Sequence, residues 1–138
     1  MRTWLTVVLG AAIALALTAP VEAQGYKWWQ SDRVKAELGL TPDQVTELEG
    51  VFQALLPRLT SGKEVVDRLE KQLSDLIADG TATEAEVIKL IDQVEGARGN
   101  LGKARTLMMY RMHRILTPEQ RVKIKALHEQ DRKQNRRR

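Results

Sequence analysis

The chain has 138 residues, of which 43% are apolar, 4% aromatic and 29% charged, with no cysteine and a formal net charge of +4. That length suits one domain and excludes a barrel enzyme or a two-domain nucleotide-binding protein, and the ordinary apolar fraction argues against wholesale disorder. Without cysteine there is no disulfide framework, thiolate metal site, cysteine nucleophile or lipidated amino-terminal cysteine.

Residues 1–23 read as a secretory signal. Arg2 gives a short positive region, Leu5 to Leu17 is apolar, and Val21-Glu22-Ala23 provides a cleavage site. The apolar core of 13 residues is shorter than the ~20 that a membrane span needs. Cleavage after Ala23 is therefore expected over a retained anchor, and the working chain, residues 24–138, acts outside the cytoplasm. ATP is scarce there, which argues against a nucleotide-driven mechanism.

Four helices follow. Ser31 can cap a short helix running to Leu38, closed by Gly39 in a left-handed conformation. Thr41-Pro42-Asp43-Gln44 is a capping box with proline in the first turn, preceded by Leu40, which can staple onto Val45. Thr83-Glu84-Ala85-Glu86 is a second box, and Thr117-Pro118-Glu119-Gln120, preceded by Leu116, is a third. The second helix carries a heptad stripe from Val45 through Phe52, Leu59, Val66 and Leu73 to Leu76. The third answers from Val87 through Val94, Leu101 and Met108 to Arg111 and Ile115. With a turn at Asp79-Gly80-Thr81-Ala82, one constant register sets Leu76 opposite Val87, Leu69 opposite Val94, Gly62 opposite Leu101 and Leu48 opposite Ile115.

The expected fold is therefore all-α: a long antiparallel helical hairpin, roughly 50 Å long at ~1.5 Å per residue, with a short helix before it and a helix after it. The domain is expected over residues 24–130, with a basic disordered tail at 131–138. Pro57 should bend the second helix. Gly62, Gly96, Gly99 and Gly102 mark either a close helix approach or a flexible waist. The apolar residues from Leu107 to Leu116 surround the third helix, so a second neighbour is needed there, and Trp28 and Trp29 are candidates to supply it.

Leu40-Thr41-Pro42-Asp43-Gln44 and Leu116-Thr117-Pro118-Glu119-Gln120 are two copies of L-T-P-x-Q flanking the hairpin. With the signal segment and the helical pattern, they make the chain resemble the Spy/CpxP family of periplasmic proteins, related to the CnrX/ZraP-type metal sensors and metal-resistance proteins. The resemblance runs from Trp28 to Gln130. It implies a periplasmic, non-enzymatic, cradle-shaped homodimer of long hairpins. Some members of the family bind unfolded proteins without ATP, some restrain an envelope-stress sensor kinase, and some bind transition metals. The sensor relatives tend to carry histidines on the first helix, whereas residues 24–60 here contain none.

Catalysis has little support, because neither His113 nor His128 sits near a serine in a nucleophile arrangement. A metal site is a second possibility. Met109 and His113 stand one helical turn apart beside Met108 and Met112, a thioether–imidazole set suited to copper(I) or, with oxygen ligands, to nickel or cobalt. Glu49 (or Glu47) is the candidate carboxylate, since the register lays that part of the second helix beside His113. The alternative function is thus a sensor or resistance protein holding Cu, Ni, Co or Zn at Met109, His113 and Glu49. The apolar flank of His128 (Ile124, Leu127) suggests a packing residue.

Binding of proteins fits better. Residues 24–102 carry nine basic and fourteen acidic side chains, whereas residues 103–138 carry twelve basic and three acidic. The modest overall charge averages an acidic hairpin with a carboxyl-terminal third of +9. Lys103, Arg105, Arg111, Arg114, Arg121, Lys123 and Lys125, interleaved with Met108 and Met112, are the candidate client-binding residues. The expected partners are unfolded or envelope proteins, or the periplasmic domain of a sensor kinase. The basic tail could also touch anionic membrane surfaces, and export argues against nucleic acid.

Overall fold

The computed structural model describes residues 27–138, so the expected signal segment lies outside them. A 3-10 turn, Trp28–Gln30, precedes four helices: α1 (Asp32–Leu38), α2 (Pro42–Asp79), α3 (Glu84–Ile115) and α4 (Pro118–Asn135). Among the described residues there is no strand, and α2 and α3 pack as the expected antiparallel hairpin.

Local sequence sets every helix start. The Ser31 hydroxyl accepts a hydrogen bond from the Val34 N–H at 3.4 Å, and Gly39 closes α1 at φ 64°. All three capping boxes form. Thr41, Thr83 and Thr117 each accept from the backbone N–H three residues on, and Gln44, Glu86 and Gln120 each accept in return from the N–H of the capping threonine. Each box thus satisfies two of the amide donors that a helix start would otherwise leave unpaired.

The hairpin register is as predicted. A Cβ built on Gly62 would stand 3.2 Å from Leu101 Cδ1, so these residues face each other and glycine permits the close approach. Gly96, Gly99 and Gly102 behave differently, since a Cβ on any of them meets nothing within 4 Å. They are exposed interior helix positions that carry only an entropic cost. Replacing these three glycines together with alanine should stabilise the protein by about 2.5–3 kcal/mol, since each costs about 0.8–1 kcal/mol in a helix interior. Urea unfolding followed by circular dichroism measures it, and an unchanged midpoint would show that something other than solvent lies against this face. Pro57 sits on the exposed side of α2, and the helix continues on both sides of it.

The core is concentrated at the end of the hairpin where α1 and α4 attach. Trp29, Leu38, Leu48, Phe52, Leu55, Met108, Met112, Leu116, Ile124 and Leu127 form one buried cluster. Towards the turn at Gly80 the seam thins: Leu69, Leu73, Leu76, Val87 and Leu90 are only half-buried, and Ile77, Ile88 and Ile91 are exposed. Helix α4 runs to Asn135, five residues into the expected disordered tail. Nothing between Leu127 and Asn135 breaks a helix, and Arg132 and Lys133 in the last turn complement its dipole.

The two L-T-P-x-Q segments lock onto each other. Gln44 Nε2 donates to Gln120 Oε1 at 2.8 Å and Gln120 Nε2 donates to Gln44 Oε1 at 3.1 Å. Each amide oxygen also accepts from its own capping threonine N–H. The remaining donor capacity reaches main-chain carbonyls: Gln44 to Ile115 at 3.2 Å, and Gln120 to Leu38 at 3.2 Å and Gly39 at 3.4 Å. Four helix ends are thereby joined through two side chains.

Candidate functional site

Before α1, the segment Lys27–Gln30 straps across the hairpin. Trp29 is fully buried, with its ring 5.3 Å from that of Phe52, and its indole N–H donates to Glu49 Oε2 at 2.6 Å. Gln30 Nε2 donates to the same oxygen at 3.1 Å, while Lys27 Nζ at 3.2 Å and Gln53 Nε2 at 2.9 Å donate to Oε1. Four donors on one carboxylate favour its charged form. The bond from Gln53, followed by those from Trp29, Gln30 and Lys27, outweighs the opposing effect of burial and lowers the Glu49 pKa from an ordinary 4.5 to about 2.

Beside the strap, α3 and α4 enclose a cavity of about 320 Å³ lined by Trp28, Arg105, Met108, Met109, Met112, His113 and His128. It adjoins a wider groove of about 830 Å³ in which Met109, His113 and His128 recur with Arg121, Val122, Lys125 and Arg132. The Trp28 ring meets His128 edge-on, with centroids 6.4 Å apart. Burial pushes the His128 imidazole below its ordinary value; Asp131 opposes this, and His113 and Arg132 add to it.

The predicted metal set is not brought together. Met109 and His113 line the cavity, but Glu49 is held by the strap and lines neither hollow. The register put Glu49 level with His113, but its carboxylate is taken by Lys27, Trp29, Gln30 and Gln53 instead. Among the described residues no three His, Asp or Glu side chains converge to hold a metal ion.

The predicted client-binding set divides in two. Met108 and Met112 are buried in the core, covered by the strap and α4, and are closed to a client. Lys103, Arg105, Arg111, Arg114, Arg121, Lys123 and Lys125 are all exposed. Arg121 and Lys125 line the wide groove, Arg105 lines the cavity, and Arg114 lies over the Tyr110 ring at 5.9 Å. None of the twelve basic side chains of residues 103–138 forms an ion pair among the described residues, and Asp131 instead faces Arg33 at 3.6 Å. Within residues 103–138 the large apolar side chains left exposed are Met109, Tyr110 and Val122, at 55%, 58% and 71%.

Sequence reasoning offered Trp28 as a cover for this end of α3, as the structure shows, but did not bring His128 to meet it. Their separation along the chain carries no periodicity, and only the docking of α4 brings them together. Of the motif residues, Thr41, Gln44, Thr117 and Gln120 build the helix caps and the clasp, Pro42 and Pro118 begin α2 and α4, and Leu40 and Leu116 pack on or in the core. Among the described residues no helix is long and apolar enough to cross a membrane.

No curated protein and no solved structure matches the chain. A family model described as LTXXQ motif family protein matches residues 27–136. With that match over nearly all of the described chain, and with both motifs built into one clasp, the protein belongs to the LTXXQ motif family, the group of the Spy, CpxP, ZraP and CnrX proteins.

Proposed function

We propose that the protein is a periplasmic, ATP-independent chaperone or envelope-stress accessory protein, acting by binding rather than catalysis and working as a homodimer. The observation that carries this reading is the uncompensated positive charge of residues 103–138 around exposed Met109, Tyr110 and Val122. Unpaired cations attract acidic stretches over several ångströms and are screened by salt. A flexible thioether, an aromatic ring and an aliphatic side chain give sequence-tolerant apolar contact with an unfolded segment. Membership of a family linked to envelope stress and metal resistance agrees with this assignment.

The purified protein should suppress aggregation of an unrelated, acidic unfolding protein without added nucleotide, read by light scattering. Raising the salt from 20 to about 300 mM should weaken the effect several-fold, since the Debye length then falls below ~10 Å. The pair Arg121→Glu and Lys125→Glu should weaken it similarly at low salt. Absence of any suppression at a several-fold molar excess refutes the assignment.

A further inference from the structure

The cavity between α3 and α4 is apolar within and cationic at its openings. Its inner wall is the Trp28 ring with Met108 and Met112, two thioethers that belong to the buried core. Among the described residues no carboxylate lines it. Its volume of about 320 Å³ falls within the range of small-ligand pockets, ~300–1,000 Å³. Methionine walls are flexible and polarisable, so they adapt to an apolar guest of variable shape.

The charges around this interior are of one sign. Arg105 stands at the end nearer the hairpin turn. The other end opens past Met109, His113 and His128 into the wide groove, where Arg121, Lys125 and Arg132 lie along one face of α4. None of these four cations has an ion-pair partner among the described residues, and the one acid of the groove, Asp131, faces Arg33. Burial holds the His128 imidazole below its ordinary value. At neutral pH its ring is therefore uncharged, an apolar wall that keeps one N–H for an anion. An apolar interior joined to an uncompensated row of cations fits a guest of the opposite plan, an apolar chain ending in an anion. A cationic guest meets repulsion at both openings, and a wholly polar anion gains nothing from Trp28, Met108 and Met112.

We propose that the cavity binds single-chain anionic amphiphiles, either free fatty acids or monoacyl phospholipids. The acyl chain lies against Trp28, Met108 and Met112, and the anionic head meets Arg121 and Lys125 in the groove. Burial of the chain supplies the affinity, about fourfold per methylene, and the cations select the sign of the head. The inference goes beyond the capture of unfolded protein and does not rest on it. Arg121 and Lys125 are shared, but the amphiphile binds with no client present.

Calorimetric titration of the purified protein with dodecanoate, kept below its micellar concentration, tests the proposal, with tryptophan emission followed in parallel. One equivalent should bind and change the emission saturably. Dodecyltrimethylammonium, with the same chain and the opposite charge, should bind at least about tenfold more weakly. Octanoate, four methylenes shorter, should also lose at least about tenfold. Lauroyl lysophosphatidylglycerol tells the two sources apart, since the tighter binder of it and dodecanoate names the natural head. Met109→Glu sets a carboxylate where the cavity meets the groove, at a side chain that is already exposed. It should leave the thermal midpoint unchanged and weaken dodecanoate at least about tenfold, and Lys125→Gln should weaken it several-fold. Equal affinity for the anionic and cationic chains, undiminished binding in Met109→Glu, or attachment to phosphatidylglycerol vesicles without uptake of monomeric dodecanoate would each overturn the proposal.

Discussion

Glu49→Ala is expected to destabilise the protein by about 3 kcal/mol at pH 7, the cost of leaving a buried donor and its neighbours without their charged acceptor. The indole N–H of Trp29, in a fully buried ring, loses its partner, and Lys27, Gln30 and Gln53 lose a shared one. Glu49→Gln keeps the shape and one acceptor oxygen and should cost less, about 1–2 kcal/mol. The pH dependence follows from the lowered pKa. Glu49 ionises at about 2 in the folded chain against an ordinary 4.5, so its stabilisation is complete above about 4.5 and fades as the pH falls towards 2. Urea unfolding at pH 7, 4 and 3 should show wild type losing its advantage over Glu49→Gln as the medium becomes acidic. A constant difference between the two proteins across that range would show that the charge on Glu49 contributes nothing.

Gln120→Leu is expected to cost about 3 kcal/mol or more, although leucine has similar size and the site is mostly apolar. Gln120 is buried, donates to Leu38 O, Gly39 O and Gln44 Oε1, and accepts from Thr117 N–H and Gln44 Nε2. Removing it strands several of these groups at once, and each buried polar group without a partner costs ~1–3 kcal/mol. Gln44→Leu should cost somewhat less, since Gln44 is only half-buried. The informative quantity is the coupling: the double variant should be less destabilised than the sum of the singles by about 1–2 kcal/mol, as expected of residues in one network. Strict additivity, measured by denaturant unfolding of all four proteins, would mean that the two amides act only as separate helix caps.

What could be read in the sequence was local or periodic. A capping box spans three residues, so Thr41–Gln44, Thr83–Glu86 and Thr117–Gln120 announce themselves, and each forms. The heptads fixed the hairpin register, visible in the contact between Gly62 and Leu101. The stripe on α3 was followed one step too far, because Arg111 is exposed and Met112 buried in its place. A straight helix drifts ~20° per heptad against a 3.5-residue repeat, so by the fourth heptad the seam has moved to the next residue. What could not be read depends on residues far apart in the chain. Gln120 finds Gln44 76 positions away, and Trp29 finds Glu49 20 positions away. The candidate site suffers most, since the strap takes Glu49 from the predicted metal set while the docking of α4 supplies His128. The buried Met108 and Met112 belong to the same class: their spacing fits a core as well as a surface, and only the packing of the strap over them decides.

The uneven core along the hairpin has a consequence for how the molecule yields. Everything that ties α1, α4 and the strap to the hairpin lies at one end, while the turn at Gly80 is held by a half-buried seam and exposed ion pairs such as Arg98 with Glu70 at 2.7 Å. Exposed pairs of that kind contribute little. Opening free energies therefore rise along the arms, from near zero at the turn to the global value at the clasp. The hairpin can therefore loosen from its turn inward, the two helices still joined by the short loop at Gly80, while the clasped end stays folded.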